Sequence, residues 1–153
     1  MTRAVLVVAL AATCLGGAGT PLTAQQQVEF APALGVDLAT MQRTNRGVHF
    51  RDLKVGEGPV IGSAFTVTIH YTGWLPDGTQ FETSRQDNVP VTFALSDRRV
   101  IRGWEEGIRG MRQGGVRLIV VPPALAYGRR GLAPVIPPEA TLVFEIEVVR
   151  AAR

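Results

Sequence analysis

Val100-Ile101-Arg102-Gly103-Trp104-Glu105-Glu106-Gly107 is the stretch on which the fold turns. Read as one short helix, it brings Ile101, Trp104 and Ile108 onto a single apolar stripe at i, i+3 and i+7. Arg102 with Glu106, and Glu105 with Arg109, are then i,i+4 pairs of opposite sign on the other face, each worth only about 0.2–0.5 kcal/mol. Gly103 and Gly107 each cost roughly 1 kcal/mol relative to alanine in a helix interior, so the ion pairs cannot hold the helix together. A larger element has to wrap it. The expectation is a sheet around the helix, with Trp104 as the floor of any cavity the sheet leaves open.

The flanking sequence supplies that sheet. Ala64 to Thr72 alternates with period two, Phe65, Val67, Ile69 and Tyr71 on one face and Thr66, Thr68, His70 and Thr72 on the other. Thr141 to Val149 repeats the pattern with Leu142, Phe144, Ile146 and Val148 opposite Glu145 and Glu147. Shorter strands are predicted at His49 to Leu53, Val91 to Leu95 and Val116 to Val121, the last nearly continuous in apolar residues except for Arg117. Asp77-Gly78 marks a tight turn before Phe81. Gly56 to Pro59 is a turn rather than a phosphate loop, because Gly62 falls one position too late for G-x-G-x-x-G and a strand follows. Pro122-Pro123 stops a strand, and Ala124 to Pro138 is a long glycine- and proline-bearing loop. Short strands, hairpin-type links and one helix predict an α+β domain with an antiparallel sheet over residues 47–150.

Upstream, Met1 to Arg3 are followed by the apolar run Ala4 to Ala12 and a small-residue stretch to Ala24, the layout of a secretory signal peptide over residues 1–24. The apolar run is shorter than the roughly 20 residues a membrane-spanning helix needs. The expected location is therefore periplasmic or extracellular, without stable membrane insertion. The single cysteine, Cys14, lies inside that segment, and a lipid anchor through it is the lesser alternative, since Thr13 is a poor neighbour for one. Residues 25–46 read as an arm or spacer, with a helical turn after Asp37 and no room for the heptads of a dimerising stalk. A monomer is expected. The formal charge of +3 falls to about +2 without Arg3, and Arg98-Arg99 and Arg129-Arg130 are the only basic doublets, read as solvated loop charges. Nucleic-acid binding has no support in that pattern.

Covalent and metal chemistry find no foothold in the sequence. Ser63, Ser84 and Ser96 sit in no nucleophile elbow, and His49 and His70 alternate with apolar strand residues as solvated strand positions do. No cluster of His, Cys or carboxylates has metal-ligand spacing, so no metal and no cofactor is expected. What remains is aromatic: Tyr71, Phe81, Trp104, Phe144, and Tyr127 between Ala126 and Gly128. A loop is an odd place for a core tyrosine, whose hydroxyl needs a partner, and loops on rigid scaffolds are where binding residues concentrate.

His70-Tyr71-Thr72-Gly73, Asp77-Gly78 with Phe81, the stretch from Val100 to Gly107, Ala126-Tyr127-Gly128, and Ile136-Pro137-Pro138 through Phe144 occur together in one order. In this the chain resembles the FK506-binding-protein family of peptidyl-prolyl cis-trans isomerases, over about residues 47–150. The resemblance implies a curved antiparallel sheet wrapped around the short helix and a proline pocket between them. Carried over position by position, Tyr71, Glu82, Ile101, Trp104, Tyr127 and Phe144 are the implied catalytic set. Phe81, Val91, Phe93, Val100, Val135 and Ile136 are the implied substrate contacts. Trp104 would support the proline ring, the Ile101 amide would donate to a substrate carbonyl, and the Tyr127 hydroxyl to the carbonyl of the rotating imide.

Three positions depart from the family pattern. Glu82 stands where Asp is usual, Val91 replaces a common aromatic wall residue, and Leu132 takes a loop position often held by His. Val91 is expected to leave a wider, shallower wall and weaker binding of a macrolide inhibitor of the FK506 type. The implied partners are proline-containing unfolded or nascent exported polypeptides. The alternative, from another functional class, is a non-catalytic proline-peptide-binding module or holdase using the same groove.

Overall fold

A computed structural model of the chain describes residues 27–153. The expected signal peptide and Cys14 lie outside the described residues. Seven strands and one α-helix follow in order: β1 (Gln42–Arg43), β2 (His49–Lys54), β3 (Thr66–Trp74), β4 (Gln80–Thr83), β5 (Val91–Ala94), α1 (Arg102–Ile108), β6 (Val116–Val121) and β7 (Leu142–Ala152). All pairings are antiparallel, in the order β1-β2-β6-β7-β3-β4, with β5 pairing the other half of β3. The predicted strands are present to within two or three residues. The Asp77-Gly78 turn joins β3 to β4, with Gly78 at φ +91°, a conformation glycine adopts without steric cost. The sheet curls around α1, as the α+β expectation required.

Alternation decides what the sheet buries. Val67, Ile69 and Tyr71 of β3, Ile119 and Val121 of β6, and Leu142, Phe144, Ile146 and Val148 of β7 enclose Trp104 and Ile108 of α1 in one core. The helix approaches β6 closely because of its glycines. A Cβ on Gly103 would lie 2.2 Å from Val121 Cγ1, and one on Gly107 would lie 2.9 Å from Ile119 Cδ1. What propensity scores as a weakness is the clearance that brings the helix onto the sheet.

Arg117, the residue that interrupts the apolar run of β6, secures the far end of α1. It is 4% exposed, and its Nη1 donates to the Gly107 and Arg109 carbonyls at 2.9 and 3.1 Å. Those are carbonyls at the helix C-terminus, where a cation also meets the negative end of the helix dipole. Asp52 accepts from Arg117 Nε and Nη2 at 2.6 and 3.0 Å, so the buried charge is paired, and the Phe50 ring lies 4.3 Å from the guanidinium. The predicted charge pairs along α1 are corrected by the structure. Glu106 meets Arg109, at i,i+3, and Arg46, both at 3.5 Å, while Glu105 is buried with Oε1 unpartnered among the described residues. A seven-residue helix sunk into a curled sheet has too little free surface for the charged face its sequence suggests.

The arm packs on the sheet's other face. Phe30, Leu34 and Val36 pack with Trp74 against a buried cluster of Met41, Leu118, Val120 and Val143. The helical turn falls at Pro32–Leu34, where proline suits the start of a helix, and not after Asp37. Asp37 instead holds a turn, its carboxylate accepting from the Ala39 amide at 3.1 Å. β1 then adds to the edge of the sheet through β2, and Arg51 Nη2 donates to the Gly35 carbonyl at 2.9 Å.

Candidate functional site

The open end of the core is an aromatic bowl. Trp104 is 7% exposed and is bracketed edge-on by Tyr71, with ring centroids at 4.6 Å, and by Phe144 at 5.4 Å, while Phe93 lies tilted at 6.0 Å. Edge-to-face packing in this range stabilises beyond simple area burial and fixes ring orientation. A cavity of about 670 Å³ opens over these rings, its wall completed by Val91, Val100, Ile101, Leu125 and Tyr127. Tyr127 reaches it because the chain turns tightly after Pro123–Leu125: the Gly128 amide donates to the Pro123 carbonyl at 2.9 Å.

Two neutral phenols and one carboxylate supply the polar chemistry. Burial, then the Glu82 carboxylate beside it, pushes the Tyr71 hydroxyl well above its ordinary pKa of 10.0. Burial and Glu82 push Tyr127 upward in the same way. Both therefore stay protonated and able to donate at neutral pH. Glu82 lines the same cavity as both phenols. At the start of α1, Ile101 takes the N-cap position with no side-chain cap, and its own N–H has no protein acceptor among the described residues. A free amide at a helix start is suited to a substrate carbonyl. The Trp104 indole N–H is likewise without a protein acceptor among the described residues.

Of the residues implied by resemblance, Tyr71, Glu82, Val91, Val100, Ile101, Trp104, Tyr127 and Phe144 line this one cavity. Four do not. Phe93 and Ile136 belong to the buried core cluster, Phe81 packs edge-on against Phe144 at 5.7 Å, and Val135 is 47% exposed. Sequence reasoning missed Arg98, Arg99, Arg102 and Ala124 to Ala126, which also line it. The backbone offers one signal for the arginines that the sequence does not: Arg98 sits at φ +51°.

Residues 53–149 match the family described as FKBP-type peptidyl-prolyl cis-trans isomerase. The chain belongs to that family. An FK506-binding protein of Neisseria meningitidis serogroup A is 44% identical over 99 residues, covering 65% of this chain and 91% of the relative. The mouse peptidyl-prolyl cis-trans isomerase FKBP2 is 48% identical over 85 residues, covering 56% of this chain and 61% of that one. Among solved structures, FkpA from Escherichia coli superposes with a TM-score of 0.66 at 36% identity, over 72% of this chain and 51% of its own. As an FKBP-type isomerase, the chain carries its aromatic bowl where α1 meets the curled sheet.

Proposed function

We propose that this isomerase accelerates rotation about X–Pro bonds in exported polypeptides, by desolvation and hydrogen bonding in the Trp104 bowl and without a covalent intermediate. The observation that carries the reading is the cavity itself: an aromatic floor, two protonated phenols and a free amide at one helix start. The prolyl amide is planar through resonance, with a rotation barrier of about 18–20 kcal/mol. Resonance makes the planar bond more polar than the twisted one. An apolar wall therefore disfavours the planar state relative to the transition state, and no nucleophile is needed. Trp104 offers a flat surface for the pyrrolidine ring, Ile101 N–H an anchor for the peptide backbone, and the Tyr127 hydroxyl a donor for the imide carbonyl.

Each 1.4 kcal/mol taken from the barrier is about tenfold in rate, so a few kcal/mol from these sources suffices for a useful catalyst. Export rests on the signal-peptide pattern of residues 1–24, and the macrolide as inhibitor rests on the family's resemblance. Slow X–Pro steps limit folding on either side of a membrane, and a catalyst that needs no ATP suits a compartment outside the cytosol. The test is Tyr127→Phe in an isomerisation assay on a proline peptide. It is expected to lower kcat/KM by up to about tenfold, the value of one oriented hydrogen bond, with the fold intact. An unchanged rate would remove the hydroxyl from the mechanism.

A further inference from the structure

The mouth of the bowl carries three guanidinium groups that proline binding does not require. Arg98, Arg99 and Arg102 all line the cavity, and all three are exposed. Of the three, only Arg99 has a carboxylate within ion-pair distance among the described residues, Asp97 at 3.6 Å, and that pair is solvent-exposed. Among the described residues, Arg98 and Arg102 have none. Arg98 also occupies the left-handed region at φ +51°, which glycine or asparagine would take at lower cost, and a strained residue at a cavity mouth points to a role.

The placement is specific. The arginines flank Ile101, whose free amide is the anchor for substrate backbone, while the cavity's own carboxylate, Glu82, comes from β4. A peptide held at Ile101 thus carries its residues next to proline past a cationic lip. Clefts lined by one sign of charge concentrate ligands of the other sign and discriminate against like charge.

Resting on the isomerase reading of this site, we propose that Arg98, Arg99 and Arg102 determine sequence specificity, selecting proline peptides with an acidic side chain flanking the proline. The cationic lip raises kcat/KM for a Glu-flanked proline over a Gln-flanked one, and lowers it for a Lys-flanked one. Because the contacts are exposed, the preference is screened by salt.

The test uses peptides identical except for Glu, Gln or Lys directly before or directly after proline, with cis-trans exchange read by NMR so that no coupling protease adds its own preference. The expected result is a Glu-to-Gln ratio in kcat/KM of about fivefold at low ionic strength, shrinking toward one at high salt. The combined variant R98Q/R99Q/R102Q, checked for native circular dichroism, is expected to lose that ratio whatever its absolute rate. Equal turnover of the Glu and Gln peptides at low salt would overturn the specificity while leaving the isomerase reading intact. So would a preference that survives in the triple variant. Failure to catalyse any of the peptides would take down both readings.

Discussion

Each face of the sheet holds one of the chain's two tryptophans, and they are packed by different means. On the inner face Trp104 is ringed by Tyr71, Phe93 and Phe144 from three strands, beneath an open cavity. On the outer face half-buried Trp74 packs against Leu118, Val120 and Val143, as do Phe30, Leu34 and Val36 from an arm made mostly of turns. The inner packing leaves a concave aromatic surface with unpaired donors, where a ligand can bind. The outer packing closes over an apolar stripe and protects it from water. Similar side chains are a site on one face and a seal on the other, and the difference lies in what covers them.

The contrast breaks most visibly at the tryptophans themselves. Trp104→Ala is expected to cost about 3–5 kcal/mol of stability, as other large core truncations do, and to lose most of the isomerase activity. Trp74→Ala is expected to cost about 2 kcal/mol, since its ring is only half-buried, and to leave kcat/KM close to wild type. Denaturant unfolding and an isomerisation assay on both variants check this. Full activity in Trp104→Ala, or an equal loss in both, would mean that the two faces do not divide the work in this way.

A smaller effect probes how α1 reaches the inner face. Helix propensity alone predicts that Gly103→Ala stabilises by roughly 1 kcal/mol. The structure predicts the opposite sign, because the new Cβ would lie 2.2 Å from Val121 Cγ1, and overpacking a filled core typically costs about 1–3 kcal/mol. The clash exceeds the propensity gain, so a lower midpoint in thermal or denaturant unfolding is expected. A higher midpoint would show that the helix can lift from β6 without penalty.

These residues also show what the sequence could convey. The inner face was legible because Phe65, Val67, Ile69 and Tyr71 alternate with Thr66, Thr68 and His70, and Phe144, Ile146 and Val148 with Glu145 and Glu147, and period two identifies a buried strand face directly. The outer stripe was not, because Leu118, Val120 and Val143 lie where a strand is apolar on both faces, and the arm that covers them has no period. Its contacts come from a turn at Pro32–Leu34, an Asx turn at Asp37 and a two-residue strand. Within the site, alternation gives the face but not which inward residues border the cavity: Phe93, Tyr71 and Phe144 all belong to the inner core, yet only Tyr71 and Phe144 line the cavity. Arg98 and Arg99 read as solvated loop charges, which their exposure supports. Their place on the cavity mouth depends on how the β5–α1 loop folds back.

The mildest probe is proton titration, and here the composition helps. The chain has two tyrosines, Tyr71 and Tyr127, and both line the cavity, so tyrosinate absorbance reads the site alone. Burial first, and the Glu82 carboxylate second, raise both phenols above their ordinary pKa of 10.0. In the unfolded chain these phenols ionise near pH 10; in the folded chain they hold their protons longer. The tyrosines' contribution to stability is therefore fully present below pH 10 and is lost as pH rises from there through the folded-state values. Little tyrosinate is expected in the native protein at pH 10, and its appearance above that pH should accompany unfolding. Glu82→Gln removes the neighbouring negative charge but not the burial, so native tyrosinate should form at lower pH and the alkaline loss of stability should flatten. Tyrosines that titrate near pH 10 in the native protein would show the phenols open to water. Glu82 would then have no part in keeping them as donors, and the inner face would be no better shielded from solvent than an exposed strand.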